Sequence, residues 1–121
     1  MAKTVMTVDD SSTMRQMVNY TITNAGYTAV EACDGADAMS KIKSLKIDLF
    51  ITDLNMPNMD GYKLIKNVRS TSEYKEIPII ILSSLSNEDD IQEGLDSGAS
   101  SYLVKPFNAK RVQYEVSKFL G

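Results

Sequence analysis

The stretch Asp48-Leu49-Phe50-Ile51-Thr52-Asp53-Leu54-Asn55-Met56-Pro57-Asn58-Met59-Asp60-Gly61 decides how this chain folds. Leu49 to Thr52 are a short apolar run with a charged residue on each side, and they read as a buried strand. Asp53 ends that strand and opens a loop rich in turn formers. The pattern recurs twice. Thr4-Val5-Met6-Thr7-Val8 leads into the acidic pair Asp9-Asp10, and Tyr102-Leu103-Val104 leads into Lys105-Pro106. Carboxylates and an ammonium are therefore expected together at strand ends.

Outward from that stretch, short apolar runs alternate with helix-period segments, with no long repeat, low-complexity segment or linker between them. Strands are expected at 4–8, 27–32, 49–52, 79–82 and 101–104, and helices at 12–25, 36–45, 62–70, 88–97 and 109–120. The first helix carries Met14, Met17, Val18, Thr21, Ile22 and Ala25 at helical spacing, with Gly26 to stop it. The last repeats the pattern with Val112, Val116, Phe119 and Leu120 behind Asn108 as N-cap. The fourth opens with Asn87 and the acids Glu88-Asp89-Asp90, suited to the positive end of the helix dipole, and Gly98 closes it. Its apolar stripe is only Ile91 and Leu95, so it should pack least firmly. Regular alternation, with strands apolar almost throughout, predicts an α/β doubly wound parallel sheet forming a single domain over 1–121. The site of such a sheet lies beyond the carboxyl ends of its strands, where Asp9, Asp10, Asp53, Ser83 and Lys105 all fall.

Composition narrows the function classes. The 121 residues carry a net charge of −3 with scattered basic residues, which gives no electrostatic footing for nucleic acid. The longest apolar run, residues 79–82, is far short of a membrane span. A lone Cys33, read as a small strand-side apolar residue, fits a reducing compartment, and Met1-Ala2-Lys3 leads directly into the first strand; a cytoplasmic protein without signal peptide is expected. The chain has no histidine, so its chemistry must run on carboxylates, hydroxyls and lysine.

Each candidate residue also has a plain structural reading. Asp before a helix is commonly an N-cap, but Ser11 and Ser12 can cap this one, which leaves Asp9 and Asp10 surplus. With Asp53 they form a like-charged set whose mutual repulsion amounts to a few kcal/mol, about 4 at close range near a surface. A divalent cation relieves it, and an all-oxygen set with room for water suits Mg²⁺, with Mn²⁺ as a substitute. Asp53, expected as an exposed carboxylate, can act as nucleophile toward phosphorus, with Lys105 neutralising developing charge. Lys105 alone reads as a surface lysine; beside Pro106 a cis bond is one way to aim it inward. Ser83 stands where its hydroxyl can bond a phosphoryl oxygen on Asp53, and Met56 and Met59 read as adaptable filler in a turn. Tyr102 by itself is an edge-strand aromatic.

In sequence order, Val8-Asp9-Asp10, Thr52 to Pro57 followed by Met59-Asp60-Gly61, Ser83-Ser84, Gly98-Ala99 and Lys105-Pro106-Phe107 together resemble the receiver domain of two-component response regulators, over essentially the whole chain. The resemblance implies a flavodoxin-like sheet of strand order 2-1-3-4-5 with five helices. It implies that Asp53 is phosphorylated by a histidine kinase or a small phosphodonor, and that Asp10 binds Mg²⁺ directly, Asp9 through water and Asn55 through its backbone carbonyl. Lys105 would pair with the phosphoryl group, and Ser83 and Tyr102 would be the switch pair. A downstream protein would bind the face of helix 4, strand 5 and helix 5. Two departures stand out: Ser84 where many relatives have Ala, and apolar Leu85 where an acid or amide is common, which is expected to slow self-dephosphorylation.

The leading expectation is a stand-alone, monomeric signalling protein rather than an enzyme, since the chain ends at Leu120-Gly121, with chemotaxis or motility as its setting. A phosphorelay intermediate passing phosphate to a histidine phosphotransfer protein, or a receiver fragment of a larger regulator, is the alternative. A haloacid-dehalogenase-type phosphatase is disfavoured because Asn55 stands where that family has its acid/base Asp, and a flavin mononucleotide binder because Asp9-Asp10 would repel a phosphate.

Overall fold

The computed structural model describes residues 2–121. Strands β1 (Thr4–Val8), β2 (Thr28–Ala32), β3 (Leu49–Thr52), β4 (Ile79–Ser83) and β5 (Ser101–Val104) alternate with helices α1 (Ser12–Asn24), α2 (Gly35–Lys41), α3 (Gly61–Ser70), α4 (Glu88–Asp96) and α5 (Ala109–Leu120). The strands are parallel in the order β2-β1-β3-β4-β5, as the family resemblance implied. Alternate side chains leave each strand on opposite faces, which sorts the apolar residues into two layers. Met6, Val8, Phe50, Ile79 and Ile81 face Ala38, Leu64, Ile65 and Val68. Val5, Leu49, Ile51, Ile80, Leu82 and Leu103 face Val18, Ile22, Val112 and Val116. Burial on both faces explains why these strands are apolar in consecutive positions.

Register does the positioning. Val8 pairs with both Ala32 and Thr52, and Ser83 pairs with Val104. The residues that follow, Asp9, Asp53 and Lys105, therefore leave the sheet at one edge. Their own N–H groups continue the ladder, Asp53 to the Val8 carbonyl at 2.9 Å and Lys105 to the Ser83 carbonyl at 2.8 Å. The Lys105-Pro106 bond is cis.

Every helix has a polar cap. Ser11, Asp34, Asp60, Asn87 and Asn108 each accept a hydrogen bond from the N–H three residues on. Asn87 and Asn108 were legible as caps, and Ser11 does free the acids that precede it. The second helix is shorter than its expected 36–45 span. Past Lys41 the chain makes one more hydrogen-bonded turn, with the Leu45 N–H meeting the Lys41 carbonyl at 3.1 Å. The Leu45 carbonyl then accepts from the Tyr74 hydroxyl at 3.1 Å, and that hydroxyl accepts from the Ile47 N–H at 3.3 Å on the way to β3. Tyr74 itself lies in an unanticipated 3₁₀ turn, Ser72–Tyr74. Cys33 is a correction: it stands exposed beyond β2, its N–H donating to Asp37, because β2 ends at Ala32.

The thin anchoring expected for the fourth helix is present. Gly94 is the buried residue of α4, and a side chain there would meet Ile81 Cδ1 at 2.8 Å and the Tyr102 ring at 2.9 Å. The far end is held differently, by Arg69, whose guanidinium donates to the Gly98 carbonyl at 2.8 and 3.0 Å and to the Ile77 carbonyl at 2.7 Å. On α5 the buried Glu115 accepts from the Ser101 hydroxyl at 2.7 Å and pairs with Lys118 at 3.0 Å. Burial pushes its carboxyl up, but Ser101, Lys118 and Arg111 together hold it below the ordinary range. A depressed carboxyl stabilises the fold above its unfolded value and loses that contribution as pH falls through its folded value. Glu115→Gln should therefore cost about 2 kcal/mol at neutral pH. Denaturant titrations should show the gap between the two proteins closing at acid pH; a gap that is the same at both would disprove this account.

Candidate functional site

The carboxylates of Asp9, Asp10 and Asp53 offer oxygens that all lie within 4.8 Å of one another. Asp9 is 3% exposed and Asp53 9%, while Asp10 faces solvent. The expectation of an exposed Asp53 is thus corrected. One oxygen of Asp53 accepts from the Leu54 N–H at 2.7 Å and the other lies 3.3 Å from Lys105 Nζ, so the side chain is folded into the cleft rather than out of it. Lys105 Nζ is also 3.3 Å from Asp9 Oδ2. Asp9 Oδ1 accepts from the Ser11 N–H at 2.9 Å. Burial raises the Asp9 carboxyl above its ordinary value, and the neighbouring Asp53 adds to this; the Ser11 N–H and Lys105 offset part of it.

One ammonium faces three carboxylates. The donors are hard oxygens, and exposed Asp10 leaves an open side, which fits a small divalent cation that keeps some of its water. Asn55 is exposed two residues past Asp53, in the loop that closes where the Gly61 N–H meets the Leu54 carbonyl at 2.9 Å. That closure is tight enough that a Cβ on Gly61 would overlap the Asp53 carbonyl oxygen.

Ser83 is fully buried at the end of β4. Its hydroxyl accepts from the Leu85 N–H at 3.2 Å, and the Tyr102 hydroxyl donates to the Leu85 carbonyl at 2.7 Å. Burial raises the Tyr102 phenol, and its contact with Ser83 works the other way. The two sequence-selected residues are therefore joined through one residue's backbone, and Leu85 itself packs half-buried against the α2–α3 layer. Ser84 is exposed.

Several residues escaped the sequence reading. Arg15 donates to the Asp9 carbonyl at 2.7 Å and pairs with Glu31 at 2.6 Å, bracing the acidic turn from α1. Its position inside a helix carried no signal. Tyr62, on α3, has its phenol pushed up to about 12 by burial and by Glu93 of α4. Met56 and Met59 do fill apolar space, as expected of them.

Removing one charge from the cluster should relieve repulsion at the cost of the Lys105 contact to Asp9 Oδ2. Asp9→Asn, which keeps an acceptor for the Ser11 N–H, is expected to raise the unfolding temperature by roughly 4 °C, the equivalent of about 1 kcal/mol, in chelator-treated buffer. A lower unfolding temperature for the variant would show that the Lys105 pairing outweighs the repulsion.

A family model described as response regulator receiver domain matches residues 5–117. The chemotaxis protein CheY1 of Helicobacter pylori is 39% identical over 119 residues, 97% of this chain and 96% of that protein. The gliding motility regulatory protein of Myxococcus xanthus is 42% identical over 101 residues, 84% of this chain but 13% of that much longer protein. Among solved structures, the chemotaxis protein CheY4 of Vibrio cholerae superposes with a TM-score of 0.93 at 39% identity, covering 98% of this chain and 99% of that one. Sequence, site and fold agree, and the chain belongs to the receiver domains of response regulators.

Proposed function

We propose that Asp53 is the phosphoacceptor of a stand-alone response regulator, charged by a histidine kinase and read by a protein partner. The observation that carries this reading is the placement of Lys105 Nζ 3.3 Å from both Asp53 and Asp9, beside an acidic cluster within 4.8 Å. A carboxylate oxygen of Asp53 attacks the phosphorus of a phosphohistidine, the P–N bond breaks, and the departing imidazole nitrogen takes up a proton from water. Lys105 neutralises charge on the transferred group from one side. Asp10, Asp9 and the Asn55 backbone carbonyl would hold Mg²⁺ on the other, where the cation supplies charge neutralisation for the phosphoryl oxygens.

Ser83 and Tyr102 carry the message onward. Once a phosphoryl oxygen is present, the Ser83 hydroxyl donates to it and moves away from the Leu85 N–H. The Leu85 backbone is also the acceptor for Tyr102, so a shift there changes where the phenol rests. Tyr102 lies under Gly94 of α4, the helix with the least apolar anchoring, so the surface of α4, β5 and α5 is repopulated toward a second state at small energetic cost. The similarity to chemotaxis and motility proteins supports a setting of that kind.

Intact-mass measurement after incubation with acetyl phosphate or phosphoramidate tests the chemistry. One phosphoryl adduct is expected on the wild type with Mg²⁺, and none with chelator or on Asp53→Asn. An adduct that persists on the variant would move the acceptor elsewhere. Leu85 tests the lifetime: placing an acid on the path of the hydrolytic water, Leu85→Glu should shorten the phosphorylated half-life about tenfold. Equal half-lives would remove Leu85 from the account.

A further inference from the structure

The loop over residues 53–60 carries Asn55, yet Asn55 is exposed, and something else must direct its backbone. Met56 and Met59 rest on the apolar layer, but flexible methionines give little direction. On the near side the Leu54 carbonyl is held by the Gly61 N–H at 2.9 Å, and on the far side the directional side-chain contact is Asn58. Its side-chain amide donates to Asp34 Oδ2 at 2.7 Å, and among the described residues it is the side-chain hydrogen bond that ties this loop to the β2–α2 turn. Asn58 has φ 67, and among the described residues no other non-glycine has a positive φ. Asparagine is one of the few side chains that accept this left-handed conformation.

Asp34 is a firm anchor. It is 7% exposed, and its other oxygen accepts from the Asp37 N–H at 2.8 Å to cap α2. These contacts hold its carboxyl below the ordinary range, the Asp37 N–H more than Asn58. The loop also sits directly on the following residue: a Cβ on Gly35 would lie 2.9 Å from the Met59 carbonyl oxygen. Stiffness then carries the restraint backward. Pro57 has a fixed φ, and Met56 before it is confined to extended conformations, so holding Asn58 narrows the paths the backbone can take back to Asn55.

We propose that the Asn58–Asp34 hydrogen bond is a latch that positions the Asn55 backbone carbonyl toward the acidic cluster and thereby sets the affinity of the site for Mg²⁺. This rests on the metal-binding reading given above. Asn58 and Asp34 are positioning residues that act through the loop and do not touch the cation. Two substitutions separate the latch from the fold. Asn58→Gly keeps the left-handed backbone and loses the amide; Asp34→Ser keeps a cap for α2 and loses the carboxylate that reaches Asn58.

The experiment is a Mg²⁺ titration of unphosphorylated protein, read from backbone amide chemical shifts, for wild type, both single variants and the double variant, with unfolding midpoints measured alongside. Each single variant should bind about tenfold more weakly, as partners of metal ligands generally do. The double variant should bind no more weakly than either single, because both remove the same contact. Wild-type binding with an unchanged affinity for Asn58→Gly would overturn the latch, as would effects that multiply in the double variant. A wild type that does not bind Mg²⁺ at millimolar concentration would instead bring down the metal-binding reading, and the latch with it.

Discussion

Everything at the working end of this protein depends on an electrostatic constraint. Parallel strands in register deliver Asp9 and Asp53 to the same edge of the sheet, with Asp10 beside them, within 4.8 Å. Chain geometry forces them together, and Lys105 is one positive charge against them. The repulsion that remains is held in place by the apolar layers beneath, where Val8, Phe50, Ile51 and Ile81 are nearly or fully inaccessible. Like charges held at this spacing would be relieved by a divalent cation, which is the electrostatic reason the cluster reads as a metal site.

The same economy appears in how firmness is distributed. β1, β3 and β4 are buried almost along their lengths, so the acids sit on the least deformable part of the molecule. α4 is held by a glycine contact along its length and by Arg69 at the Gly98 end. A rigid strand-end cluster beside a loosely seated helix is the arrangement that the proposed switch would need. Leu85 links the two, since its N–H meets Ser83 and its carbonyl meets Tyr102.

The sequence was legible where physical rules act locally. Alternating apolar runs and helical periodicity placed all five strands and all five helices, because burial on both faces of a parallel sheet leaves a plain signature. The acids, Ser83 and Lys105 were legible for the same reason, as polar residues that end apolar strands. Residues whose partners are distant in the chain were not. Tyr74 bonds Leu45, 29 residues away and just past α2, and nothing near Leu45 signals it. Asp34 and Asn58, 24 residues apart, carry no local signal of each other, and only the fold brings them to 2.7 Å.

What the sequence determined by itself is therefore the alternation of elements, the side of the sheet on which the chemistry lies, and the residue types available for it. The tertiary structure alone decided that Asp53 is buried rather than exposed, that Cys33 stands outside the sheet, and that Ser83 and Tyr102 meet through Leu85. The physical reason is one of range. Backbone propensity and hydrophobic periodicity act over a few residues and are written in local order, whereas burial, ion pairing and cross-chain hydrogen bonds depend on which strand ends become neighbours, and only the packed sheet settles that.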